Sequence, residues 1–219
     1  MWTRKLKVKG IFLDLDGTIV DSKEAYLEAL ETAFAVLGQK TVDTRLVTEI
    51  PKRLEQNMQI ADLIGKIDPK KFLEVYLDAY YRATCTKAKP IPNVSEALKR
   101  LSEKAKLAVV TMRRVSKVKI IEELERIGLA EYFQNVVTAL DTRNPKPSPE
   151  ALTNCATQLD IKTRDCVFVG DSVVDIRAGK NAGTKTVAVL SGIFSRKELE
   201  LEKPDLILES VEKLLDFVK

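Results

Sequence analysis

Val8-Lys-Gly-Ile-Phe-Leu13 runs without a break into Asp14-Leu-Asp16-Gly-Thr18, and this junction decides how the rest of the chain reads. A short, mostly apolar run that ends at a turn rich in Asp and Gly has the character of a buried strand. Comparable runs recur at residues 107–111, 167–169 and 186–190, with a weaker one at 136–140. Stretches with helical period separate them. Near-continuous apolar strands alternating with helices predict a doubly wound α/β fold, its parallel sheet covered on both faces. In such sheets ligands bind at the carboxyl ends of the strands, where Asp14 and Asp16 fall.

Outward from the first strand, the pattern changes. Tyr26, Leu30, Phe34 and Leu37 follow a three-to-four spacing after Ser22, a potential cap, with Gly38 as the stop. Asp68-Pro69 starts a second helix, with Phe72, Val75, Tyr76 and Ala79 on one side. The intervening residues 43–65 also read as helix. No strand is convincing between residues 21 and 89, and Lys89-Pro-Ile-Pro92 reads as a linker back into the sheet. The expected organisation is a core of residues 1–20 and 90–219, with residues 21–89 inserted as a small helical domain over the strand ends.

Composition narrows the chemistry. The chain of 219 residues, 45% of them hydrophobic, suffices for one core and a satellite. It contains no histidine, which removes Ser-His-Asp and Cys-His hydrolysis and any His-ligated zinc site. Carboxylates or lysine must then move protons. Arg4, Lys5, Lys7 and Lys9 make a basic start but have no interleaved aromatics to stack bases, so no nucleic-acid partner is expected. No apolar run is long enough to span a bilayer. Cys85, Cys155 and Cys166 lack metal-ligand spacing and are expected to be reduced core thiols of a cytoplasmic protein.

Four segments together carry chemistry. Asp14 and Asp16 stand two apart, followed by Gly17, which permits a sharp turn. A carboxylate can attack phosphorus if a second acid protonates the leaving alcohol and later deprotonates water. Thr111 ends an apolar run, so its hydroxyl and the next backbone N–H, that of Met112, can face a phosphoryl group. Lys146 is one cation between two prolines. Gly170-Asp171-Ser172-Val-Val-Asp175 places more acids at a strand end. Taken singly, each is an ordinary turn, cap or surface residue.

In this order, Asp14-Leu-Asp-Gly-Thr18, Thr111, Lys146 and Gly170-Asp-Ser-Val-Val-Asp175 resemble the four motifs of the haloacid dehalogenase superfamily, most closely its phosphoglycolate-phosphatase-like branch. The resemblance extends through Lys146-Pro-Ser-Pro-Glu150 and Asp175-Ile-Arg-Ala-Gly-Lys-Asn-Ala-Gly183, covering the whole core. It implies a Rossmann-like core with the helical insert as a cap. It also implies a magnesium-dependent phosphatase acting on a small phosphorylated metabolite, as monomer or homodimer. Asp14 would be the nucleophile and Asp16 the acid and base. Mg2+ would be held by Asp14, the Asp16 carbonyl and Asp171, and phosphate by Thr111, Met112 and Lys146. Asp175 and Ser172 would stand one layer out, Asp175 orienting metal-bound water or Lys146. Lys52 and Arg53, in the insert, lie about where relatives keep specificity residues.

Departures from the family pattern carry their own expectations. Met112 replaces a small polar residue and forfeits a side-chain contact. Arg113 is expected to pair with surface acids rather than phosphate. In Pro92-Asn93-Val94, Asn stands where relatives often have Gly, and its tolerance of left-handed backbone should preserve the turn. Asp16 argues against carbon–halogen cleavage. The alternatives left open are a sugar-phosphate mutase and, from another class, a non-catalytic binding module.

Overall fold

Strand β1 (Gly10–Leu13) has no exposed residue, which is why Ile11, Phe12 and Leu13 can all be apolar instead of alternating. A computed structural model describes residues 5–39 and 42–219; Arg4, part of the basic start, lies outside them. By chain contacts the molecule divides into two compact units, Met1–Val20 with Pro90–Lys219, and Asp21–Lys89.

In the first unit, β1 is followed after the second unit by α4 (Val94–Ser102), β4 (Lys106–Val110), α5 (Lys117–Arg126), β5 (Phe133–Val137) and α6 (Glu150–Gln158). Then come β6 (Cys166–Gly170), α7 (Val173–Ala182), β7 (Lys185–Val189), α8 (Arg196–Leu201) and β8 (Leu206–Leu208). The six strands form one sheet in the order β5-β4-β1-β6-β7-β8, and each adjacent pair is parallel. This is the doubly wound, Rossmann-like α/β arrangement. The order turns back at β1: the chain first builds outward through β4 and β5, then returns to β1's other side with β6. Leu13 pairs with Val109 and with Val169, so three strand ends meet at the central switch point.

Two apolar clusters hold helices against the sheet. One joins Phe12, Ala108, Val110 and Phe168 with Leu152 and Cys155. The other joins Val173, Ile176, Ala188, Phe194 and Leu199, with Met112 packed on it. A side chain such as Phe12, wholly out of water, contributes about 2–3 kcal/mol by burial.

The strands differ from expectation at two places. The weak run at 136–140 is strand only to Val137. Thr138 then caps a single tight turn, its Oγ1 accepting from Leu140 N at 3.2 Å while Asp141 accepts from Thr138 N at 2.8 Å. At the sheet edge, β8 is three residues long behind Pro204 and Asp205, too short to show a period.

The second unit contains α1 (Lys23–Val36), α2 (Leu46–Glu55) and α3 (Pro69–Lys87). Asp68 caps α3, accepting from Lys71 N at 2.9 Å, and Pro69 takes the first helical position. Ser22 stands at the start of α1 but makes no side-chain cap bond there. Gly38, at φ 86°, closes the helix as Gln39 N reaches back to Phe34 O at 2.8 Å. Aromatic contacts fasten α1 to α3: Tyr26 stacks on Tyr80 at 5.2 Å, and Phe34 meets Phe72 edge-on at 5.4 Å. Residues 43–65 are helical only over α2. Asn57 turns left-handed at φ 54° and ends it, and buried Ile60 and Ile64 anchor the turns that follow. Cys85 corrects the core-thiol expectation: it is exposed, whereas Cys155 and Cys166 are buried. The buried face of α3 runs through Tyr80, Ala83 and Thr84, which turns Cys85 outward.

The chain crosses between units through β2 (Val20–Asp21) and β3 (Lys89–Pro90), which pair as a two-stranded ribbon. Beside it, Ile91 N donates to Ile19 O at 2.9 Å. Asn93 adopts φ 63°, the left-handed turn expected of it. Among the described residues, no helix is long and apolar enough to cross a membrane.

Candidate active site

Each strand end at the switch point delivers one polar residue. Asp14 follows β1 with its N–H still donating to Val169 O at 2.9 Å, and Thr111 follows β4 with its N–H on Val137 O at 2.9 Å. Asp171 follows β6. The ladder therefore fixes each Cα before any side chain contributes. All three residues are buried.

Lys146 comes from the loop before α6, and that loop is tethered. Glu150 accepts from the N–H groups of Arg143 at 2.8 Å and Asn144 at 3.0 Å, while Asn181 Nδ2 donates to Pro147 O at 2.9 Å. The ammonium donates to Asp14 Oδ1 and Asp175 Oδ1, both at 2.6 Å, and to Val110 O at 3.2 Å. Ser172 caps α7 through a reciprocal box with Asp175: its Oγ accepts from Asp175 N at 3.3 Å and donates to Asp175 Oδ2 at 2.7 Å, and its N–H donates to Oδ2 at 3.1 Å. Asp175 thus has one oxygen on Lys146 and the other on Ser172.

The turn after Asp14 presses against the β7 loop. Gly17 has φ 74°, a backbone that L side chains rarely adopt. Ser191 Oγ donates to Gly17 O at 2.7 Å. Asp171 Oδ2 accepts from Ile193 N at 3.3 Å, and Thr18 Oγ1 lies 3.4 Å from Asp171 Oδ1. A Cβ on Gly192 would stand 1.7 Å from Asp171 Oδ2, so only glycine lets the loop close there.

Arg113 departs from expectation. Instead of meeting surface acids, its side chain is 4% exposed and pairs with Asp16 and Glu123. Nε donates to Asp16 Oδ2 at 2.7 Å, Nη2 to Asp16 Oδ1 at 2.6 Å and Nη1 to Glu123 Oε2 at 2.6 Å. Its N–H also donates to Thr111 Oγ1 at 3.2 Å. A readable signal existed: Glu123 lies on the buried face of α5 between Ile120 and Leu124, a charge where the helical period calls for an apolar residue. Met112 is partly buried among the side chains around α7 and α8. Lys52 and Arg53 lie in the other unit. There Arg53 bonds to Glu49 at 2.8 Å, Asp62 at 2.6 Å and Gln59 O at 3.1 Å.

Oxygens of Asp14, Asp171 and Asp175 lie within 4.8 Å of one another. Burial pushes Asp14 up to about 7; Lys146 opposes this, and the neighbouring acids add to it. Asp171 is raised well above the usual carboxylate range, first by burial and then by Asp14 and Asp175. Burial alone would lower Lys146, but its two carboxylate partners outweigh that and raise it. It stays a cation. With all three acids ionised around one ammonium, negative charge would be left uncompensated, which is costly in a poorly solvated site. An all-oxygen set of this kind suits a hard divalent cation.

Similarities to known proteins fit this geometry. Residues 11–189 match the family model described as haloacid dehalogenase-like hydrolase. The pyrophosphatase PpaX of Halalkalibacterium halodurans is 29% identical over 97% of this chain and 98% of its own. The phosphoglycolate phosphatase of Vibrio parahaemolyticus is 29% identical over 96% of each. A haloacid dehalogenase-like family hydrolase from Streptococcus pneumoniae superposes with a TM-score of 0.84 at 19% identity, covering 96% of this chain and 98% of that one.

Proposed function

Because the chain belongs to the haloacid dehalogenase-like hydrolase family, we propose that it is a magnesium-dependent phosphatase that hydrolyses a small phosphorylated metabolite through an aspartyl phosphate on Asp14. One observation carries the reading. Asp14 stands at the central strand end with Oδ1 held by Lys146, while Oδ2 accepts no hydrogen bond among the described residues and so suits a nucleophile.

In the first half-reaction an Asp14 oxygen attacks phosphorus, the bond from phosphorus to the leaving oxygen breaks, and Asp16 gives that oxygen its proton. In the second, water attacks phosphorus, Asp16 takes the water proton, and the bond to Asp14 breaks to release phosphate and restore both acids. Lys146 offsets the charge that would otherwise repel an anionic substrate from a cluster of carboxylates. Thr111 and the Met112 N–H would bind phosphoryl oxygens, and Asp175 with Ser172 would keep Lys146 aimed. Magnesium, held by Asp14, Asp171 and the Asp16 carbonyl, would supply positive charge to a phosphoryl oxygen. The substrate's leaving group would be selected by the helical unit, with Lys52 and Arg53 as the residues to vary first.

Phosphoglycolate and pyrophosphate are the first substrates to test, because they correspond to the names of the two relatives. The purified chain, assayed on a panel of phosphorylated metabolites, should release phosphate with magnesium and stop when a chelator is added. Absence of phosphate release from every ester and anhydride would refute the proposal, and turnover indifferent to the chelator would refute its metal dependence.

A further inference from the structure

Each aspartate of the first turn has its own buried cation, and the two cations differ in kind. Asp14 meets the ammonium of Lys146, a compact charge that does not fix the plane of a carboxylate. Asp16 meets the fork of Arg113, whose two donors reach one oxygen each at 2.7 and 2.6 Å. Parallel bonds of this kind align two planar groups and add geometric specificity to attraction. The next residue, Arg114, is exposed, so the loop places one arginine in water and takes its neighbour out of it. Burying a guanidinium is costly and is weak evidence of a stabilising role. Here the cost is met by Glu123, also 4% exposed, which holds the third donor at 2.6 Å. The acid sits on α5 between Ile120 and Leu124, on the face that packs inward.

We infer that Arg113, seated by Glu123, is a positioning residue that sets the plane of the Asp16 carboxyl, and so aims the proton it exchanges with the leaving oxygen and with water. The inference rests on the acid–base part assigned to Asp16 above. A carboxylate offers about four lone-pair sites. The fork engages one on each oxygen, the geometry that fixes the plane of the carboxyl. Arg113 moves no proton and needs no contact with substrate; it acts through Asp16.

The test uses the magnesium-loaded enzyme with two substrates. p-Nitrophenyl phosphate has a leaving group that needs no protonation, whereas an alkyl phosphate does. Arg113→Lys keeps the cation and loses the fork. It should lower kcat on the alkyl phosphate by about tenfold to a hundredfold, a share of what general acid–base catalysis contributes, with KM little changed. The first-turnover release of p-nitrophenolate should be spared. Glu123→Gln should show the same pattern to a smaller extent. When introduced into Asp16→Asn, Arg113→Lys should change kcat by less than about twofold, because residues acting as a unit are not additive. A full further loss in that background, or a rise in KM shared by both substrates, would show the arginine working on the substrate itself and overturn the inference. Asp16→Asn with undiminished turnover of the alkyl phosphate would instead overturn the acid–base assignment beneath it.

Discussion

The two units put charge to opposite uses. In the helical unit the ion pair of Arg82 with Asp78 lies in water, the side chains 69% and 66% exposed. Pairs of this sort contribute little, and the unit is held by aromatic packing between α1 and α3. In the sheet unit Lys146 and Arg113 are 3% and 4% exposed, bound to the buried acids Asp14 and Glu123, with the apolar sheet serving to place them. Both units are stabilised by the apolar groups they bury, and the sheet unit also buries charges that strain it. Charge taken out of water without full compensation is the physical mark of a candidate functional site.

The contrast breaks first, if it breaks, at Asp14. Asp14→Asn should lower phosphatase turnover by at least about a thousandfold, the scale of losing a nucleophile. It should also stabilise the metal-free protein. The folded state holds Asp14 near 7, against 3.8 for an unperturbed aspartate, so the native carboxyl keeps its proton where the unfolded one has lost it. Its cost to stability is absent below about 4 and grows as pH rises through 7. The melting-temperature difference between variant and wild type, without metal, should widen across that range. A constant difference would mean that Asp14 is solvated like an ordinary acid.

Within the helical unit, Phe72→Ala should cost about 3–5 kcal/mol in denaturant unfolding, because the ring is fully buried between Phe34 and Tyr76. A loss under about 1 kcal/mol would show that packing is not what holds this unit. Smallest of all, Arg82→Ala should change stability by less than about 0.5 kcal/mol. A larger effect would place the exposed pairs on a par with the buried ones.

Much of this was legible in the chain. Runs rich in Val, Ile and Leu disclose their strands because both sheet faces are covered, and polar residues just past such runs must lie at the sheet's carboxyl edge. That puts Asp14, Thr111 and Asp171 together without reference to coordinates. Lys146 is different: its loop reaches Asp14 through tethers to Glu150 and Asn181 that no periodicity announces. Arg113 eludes such a reading because an arginine on a loop is ordinarily solvated, and its burial depends on Glu123, ten positions onward. The end of α2 was invisible for a related reason. Asn57 terminates it by a backbone choice, φ 54°, that local composition does not compel.

The ribbon joining Val20–Asp21 to Lys89–Pro90 has an engineering consequence. Since Ile19 and Ile91 already share a hydrogen bond, a tight turn linking Val20 to Pro90 would close the gap with the sheet's connectivity intact. A chain shortened in this way should keep the six-stranded sheet, and far-ultraviolet circular dichroism would check it.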